Sequence, residues 1–133
     1  MKVVLSSGKR KTAIARAVVR KGKGRIRINS KPLEIWDPQF YRQKIEEPLK
    51  FIPEEIRNSI DIKIRVHGGG IVGQTEAIRT AIARALVNWT DSEELRLALL
   101  HYDRSTLAGD PRRKERKKAG RKGARARRTK SYR

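Results

Sequence analysis

The chain has 133 residues, 34 of them Lys or Arg against 14 Asp or Glu, a formal net charge of +20, and it contains no cysteine. Such a field attracts polyanions and opposes self-compaction, while the missing thiols exclude a disulfide scaffold and a Cys-ligated zinc site and fit a reducing cytosol. No run approaches the roughly 18 apolar residues of a membrane helix, and no apolar core of a signal peptide lies near the amino terminus, so neither membrane spanning nor secretion is expected.

In chain order, the first apolar segments are residues 2–5 and 13–20, rich in Val, Ile and Ala, and both read as strands. Between them Ser7, Gly8, Lys9, Arg10, Lys11 and Thr12 form a basic loop. In an ordinary domain this would be a solvated turn; in a chain of this charge, phosphate contact is the better reading. Residues 21–24, Lys-Gly-Lys-Gly, are expected to form a hairpin loop to a third strand at 25–28, because glycine supplies positive φ. Residues 37–52 have helical spacing interrupted at Pro48 and Pro53, which suggests one or two short helices. A fourth strand at 61–67 alternates strictly, with Ile62, Ile64 and Val66 on one face and charges on the other. One face of the sheet is therefore buried and the other wet.

After Thr75 the period changes. Ile78, Ala81, Ile82, Ala85, Leu86 and Trp89 share one side of a helix expected to lie on the sheet, with Glu76, Arg79, Thr80 and Arg84 on the rest. A second helix over 92–102 is expected to be capped by Thr90 or Asp91, with Glu93 and Glu94 in its first turn, and to bury Leu95, Ala98, Leu99 and Tyr102. The Asp110-Pro111 step ends this body. Beyond it, residues 111–133 hold 13 Lys and Arg against the single acid Glu115, a charge of +12, which leaves +8 for residues 1–110. The division is thus a body, 1–110, large enough for one small domain, and a basic tail, 111–133, whose composition is that of a disordered segment when free.

Residues 68–73 read Gly-Gly-Gly-Ile-Val-Gly, a G-x-G-x-x-G match between a strand and a helix. A dinucleotide site needs a further parallel strand ending in an acid about 20 residues on, and a P-loop needs Lys where Gln74 stands. The plainer reading is a tight strand-to-helix turn whose backbone can approach an RNA phosphate. His67 and His101 complete no metal set or catalytic trio and read as structural. No cofactor, metal or small-molecule substrate is expected.

The run Gly68-Gly69-Gly70-x-x-Gly73-Gln74-x-x-Ala77-x-x-x-Ala81-x-Ala83-Arg84-Ala85-Leu86 resembles the signature of the family of the ninth protein of the small ribosomal subunit. Gly8-Lys9-Arg10-Lys11-Thr12-Ala13, Tyr102-Asp103-Arg104, Asp110-Pro111-Arg112-Arg113-Lys114-Glu115 and Ser131-Tyr132-Arg133 are similar to the same family in the same order, and the ending resembles its archaeal or eukaryotic branch, with the length leaning archaeal. The resemblance implies an α+β fold: about four strands backed by helices, similar to the second domain of the fifth small-subunit protein, with a left-handed crossover and an extended basic C-terminal tail. It further implies a cytoplasmic, non-enzymatic constituent of the small subunit whose body binds ribosomal RNA of the subunit head, beside neighbouring ribosomal proteins. Its tail reaches the peptidyl-site transfer RNA. Mapped onto this chain, the ribosomal RNA contacts are Lys9, Arg10, Lys11, Gly68, Gly69, Gly70, Arg112, Arg113, Lys114, Lys117, Lys118, Arg121, Lys122 and Arg125, and the transfer-RNA-proximal residues are Arg127, Arg128, Lys130, Ser131, Tyr132 and Arg133. Composition alone leaves two rivals, a nucleic-acid chaperone or DNA-compacting protein, and an enzyme resting on the glycine loop.

Overall fold

The computed structural model describes residues 2–36 and 39–126. Their centre is a mixed sheet of five strands in the order β1-β2-β5-β3-β4: β1 Val3–Arg10, β2 Ala13–Lys21, β3 Ile26–Ile28, β4 Lys31–Pro32 and β5 Ile60–His67. Five helices accompany it: α1 Gln39–Glu46, α2 Glu54–Asn58, α3 Ile71–Thr90, α4 Glu93–Tyr102 and α5 Ser105–Ala108. Single 3-10 turns occupy Leu33–Ile35 and Glu47–Phe51. The α+β class agrees with the sequence, and the strand number is five rather than four, because Lys31 and Pro32 add a two-residue edge to β3.

Alternation in β2 and β5 is what makes the sheet two-faced. Ala13, Ala15, Ala17 and Val19 point to the same side as Ile60, Ile62, Ile64 and Val66, and all are buried. Ile26 and Ile28 extend that ladder through the parallel β3–β5 pair. Burial of each large aliphatic side chain contributes about 1.5–3 kcal/mol, so this ladder with Ile78, Ile82 and Leu86 of α3 is the principal core.

The expected hairpin at residues 21–24 is not one. Strand β5 lies between β2 and β3, antiparallel to the first and parallel to the second. The Gly22 and Gly24 N–H groups donate instead to the Ser59 and Ile60 carbonyls, so the loop braces the entry to β5. Glycines permit a tight turn but do not choose the partner strand; the isoleucine ladder, which must be flanked on both sides, does.

The first strand is longer than its apolar residues suggest. Ser7, Gly8, Lys9 and Arg10 pair with Arg16, Ala15, Ile14 and Ala13, so the supposed basic loop is strand up to Arg10 with a two-residue turn at Lys11 and Thr12. Helix α3 also begins earlier, at Ile71 directly after Gly70, and it is buried nearly all round. Arg79 and Thr80, expected on its open side, are 8% and 4% exposed: Arg79 is covered by the 47–51 turn and the start of α5, whereas Thr80 packs against Gly8 of β1. In α4, Leu95 and Leu99 are buried as expected, whereas Ala98 is exposed and Tyr102 is 55% exposed. Its cap is Ser92, whose Oγ accepts the Leu95 N–H at 3.2 Å, and Asp91 instead closes α3 in the left-handed region.

Candidate nucleic-acid interface

Two of the predicted elements meet. The turn at Lys11 and Thr12 lies against the glycine loop, where Gly68 and Gly69 have φ of +78° and +64°. A Cβ on Gly68 would stand 2.4 Å from the Thr12 carbonyl oxygen, so the space a side chain would fill belongs to the protein's own backbone. Gly70 is different: nothing lies within 4 Å of its Cβ direction, and it forms the N-cap of α3 without a side-chain cap. The Gln74 amide donates to the Gly68 carbonyl at 3.1 Å and closes the loop.

The three cations at the end of β1 and in its turn have different surroundings. Lys9 and Lys11 are exposed. Arg10 is turned inward: its Nε donates to Glu76 Oε2 at 2.7 Å, its Nη2 lies 3.5 Å from Asp110 Oδ2, and its Nη1 donates to the Arg112 carbonyl at 3.1 Å. Only 13% of its side chain is exposed. Arg10 thus ties strand β1, helix α3 and the start of the tail together, and a backbone bridge between Arg10 and Asp110 runs beside the same contact.

Residues 111–126 have no helix or strand and are largely exposed. The root is held: Arg112 pairs with Asp110 at 2.7 Å, and Arg113 donates to the Lys11 carbonyl at 3.0 Å. The Arg112 side-chain and backbone donors, with Arg10 nearby, hold the Asp110 carboxyl far below the usual carboxylate range. Farther along, Glu115 accepts from Lys118 and Arg125. Lys114, Lys117, Arg121 and Lys122 are exposed and make no ion pair among the described residues. Arg127, Arg128, Lys130, Ser131, Tyr132 and Arg133 lie outside the described residues.

The richest cationic surface of the body was absent from the sequence-derived set. On the sheet face away from α3, β2 exposes Arg16 and Arg20, β5 exposes Lys63 and Arg65, and β3 exposes Arg27. The signal was the charged half of each alternating strand, which reads as a solvated face until strand order puts the charges side by side. No group of three or more metal-ligating side chains occurs among the described residues, and both His67 and His101 are exposed. No described helix is long and apolar enough to cross a membrane.

Fold and charge together define a small, basic α+β protein whose cations gather on one strand turn, one open sheet face and one extended terminal segment. The profile of a family described as ribosomal protein S9/S16 matches residues 8–133. The chain is also 53% identical over 133 residues, covering the whole of both chains, to the small ribosomal subunit protein uS9 of Methanothrix thermoacetophila. This chain belongs to the ribosomal protein S9/S16 family. That relative is archaeal, the branch toward which the sequence ending and length leaned.

Proposed function

We propose that this protein docks on ribosomal RNA in the head of the small subunit through its body and extends its basic terminal segment toward the transfer RNA in the peptidyl site. Family membership makes it a structural, non-enzymatic ribosomal protein of the small subunit, at work in the cytoplasmic ribosome. The observation that carries the finer reading is the full-length 53% identity to uS9, which includes the tail as well as the body.

The chemistry supports it. Lys9 and Lys11 are exposed, and the turn that carries Lys11 lies against the glycine loop at Gly68 and Gly69, so ammonium groups are available to phosphate on this edge of the body. Arg112, Arg113, Lys114, Lys117, Lys118, Arg121, Lys122 and Arg125 supply further cations along an extended backbone, with Arg10 as the strap that aims it. Arg127, Arg128, Lys130, Ser131, Tyr132 and Arg133 belong to the part assigned to the transfer RNA. The reading includes neighbouring head proteins as partners, the division into a body at 1–110 and a tail at 111–133, and a fold with a left-handed crossover like that of the second domain of the fifth small-subunit protein.

The test is reconstitution of small subunits with protein lacking residues 130–133. Subunit assembly should be preserved, while transfer RNA should leave the peptidyl site roughly ten- to a hundredfold faster at most, the equivalent of one or two charge-assisted hydrogen bonds. Equal off-rates and equal reading-frame errors at several salt concentrations would reduce the terminus to an assembly strap. Failure of the full-length protein to enter small subunits would overturn the whole reading.

A further inference from the structure

The open face of the sheet carries more charge than a solvent face needs. The strand register sets Arg16 of β2 directly opposite Arg65 of β5. The next row sets Lys63 of β5 opposite Arg27 of β3. Like charges facing one another across strands destabilise a sheet, and none of these four, nor Arg20, makes an ion pair with any described residue. Among the described strand residues the one acid on this face is Asp61, which the register sets opposite Arg20 but which is already engaged: its carboxylate accepts the Lys23 and Arg25 N–H groups at 2.9 and 3.0 Å and the Arg25 guanidinium at 3.3 Å. It neutralises the loop and leaves the rows uncompensated. Leu5, 72% exposed, and Val18 lie beside the cations and line the same recess with them.

We propose that this face is a second ribosomal RNA seat, distinct from the turn and the tail, in which Arg16, Arg65, Lys63, Arg27 and Arg20 bind the ribose–phosphate backbone. The Cα positions that carry these cations lie about 5 Å apart on adjacent strands and about 7 Å apart two residues along a strand. The backbone of the sheet thus fixes a two-dimensional set of attachment points for cations, which suits a chain of phosphates better than a single anion. Guanidinium forks dominate the set, and they grip phosphate in a bidentate manner. Leu5 and Val18 then offer an apolar floor to sugar or base. The repulsion built into the free protein is relieved when the polyanion arrives. The inference rests on the ribosomal reading above and adds to it a particular surface.

The experiment uses the full-length protein, its Arg16→Gln/Arg65→Gln variant and a control of equal charge, Lys31→Gln/Lys50→Gln, whose exposed cations lie off this face. The probe is transcribed small-subunit head-domain RNA, titrated across a range of salt. Loss of two phosphate contacts should weaken binding at least about tenfold and make the log–log salt dependence shallower by roughly 1.4 to 1.8, with a much smaller change in the control. The Arg16→Gln/Arg65→Gln variant should melt at the same temperature or higher, because a repulsion has been removed. Within assembled subunits, photo-cross-linking should leave nucleotide adducts on the β5 segment containing Lys63. Unchanged affinity and slope, an equal loss in the control, or cross-links from this segment to a neighbouring protein instead of RNA would each overturn the proposal while leaving the ribosomal reading intact. A wild-type protein that neither binds the head RNA nor enters subunits would remove both.

Discussion

Arg79 shows how a charged residue reaches the interior of a small basic protein. Its Nη1 donates to Glu47 Oε2 at 2.9 Å, its Nη2 lies 3.5 Å from Asp103 Oδ2 and 3.4 Å from Ser105 Oγ, and only 10% of the side chain is exposed. It thereby joins α3 to the 47–51 turn and to the start of α5. The Ser105 hydroxyl and N–H hold the Asp103 carboxyl below its ordinary value, and Arg79 adds to the effect. Arg79→Ala should lower unfolding stability by roughly 1–3 kcal/mol, because it removes the shared cation of Glu47, which keeps only Lys44, and of the part-exposed Asp103; urea denaturation will measure it. Asp61 makes a separate prediction. The Arg25 N–H, followed by the Lys23 N–H and the Arg25 charge, lowers its pKa from the ordinary 3.8. Since the folded value lies below the unfolded one, its contribution is complete above about pH 5 and is lost as pH falls through about 4 and below. Stability should therefore be nearly level from about pH 5 to 8 as far as this group is concerned, and Asp61→Asn should flatten the acid limb of the stability curve. An unaltered acid limb in that variant would mean the loop does not depend on the carboxylate.

At the scale of elements, the glycine loop and β1 explain each other. Gly8 passes so close to α3 that a Cβ there would stand 2.2 Å from the Ala77 carbonyl oxygen, and Gly68 is equally close to the turn that follows β1. The glycines at both places allow backbone to meet backbone. Gly68→Ala combines a positive φ with contact against the Thr12 carbonyl, so it should destabilise the protein by about 1–3 kcal/mol, measured by thermal or urea unfolding. The same geometry argues against a nucleotide cradle, and neither ATP nor NAD should bind saturably in the micromolar range at about 0.5 M salt, where ordinary phosphate attraction is screened. A saturable isotherm there would assign the loop a ligand. The G-x-G-x-x-G spacing was visible in the sequence; that the loop folds onto its own neighbour became visible only when β1 and α3 were packed.

At the scale of the molecule, charge density rises and, among the described residues, burial falls after Asp110. The Arg10, Asp110, Arg112 and Arg113 contacts hold the root of the tail on the body, and beyond them the described residues bury little. Ordering each residue costs about 1–2 kcal/mol in backbone freedom, and residues 114–126 have no large apolar side chain to offset it. In the isolated protein, the amides of residues 114–126 should therefore give narrow, undispersed NMR signals, while those of 110–113 should be dispersed. Asp110→Asn should extend the narrow signals back toward Ala108. Protected and dispersed amides over 114–126 without RNA would show that the segment is ordered by the protein itself.

The amino-acid order alone determined the class of the fold, the two faces of the sheet, the step in charge density near residue 110 and the family, because period-2 alternation, helical spacing, charge density and the Gly68–Leu86 signature are local properties readable along the chain. It also contained the charged halves of β2 and β5, but as isolated alternations. Only the tertiary structure decided that β5 enters between β2 and β3, since flanking an isoleucine ladder on both sides is a long-range matter that a Lys-Gly-Lys-Gly loop cannot dictate. That choice of neighbour brought Arg16 face to face with Arg65, while the packing of α3 turned Arg79 inward to Glu47 and Asp103 and brought Glu76 to Arg10. Sequence counts cations; strand order decides which are consumed within the fold and which remain at its surface, because an ion pair or a repulsion depends on distance between side chains that the chain separates by tens of residues.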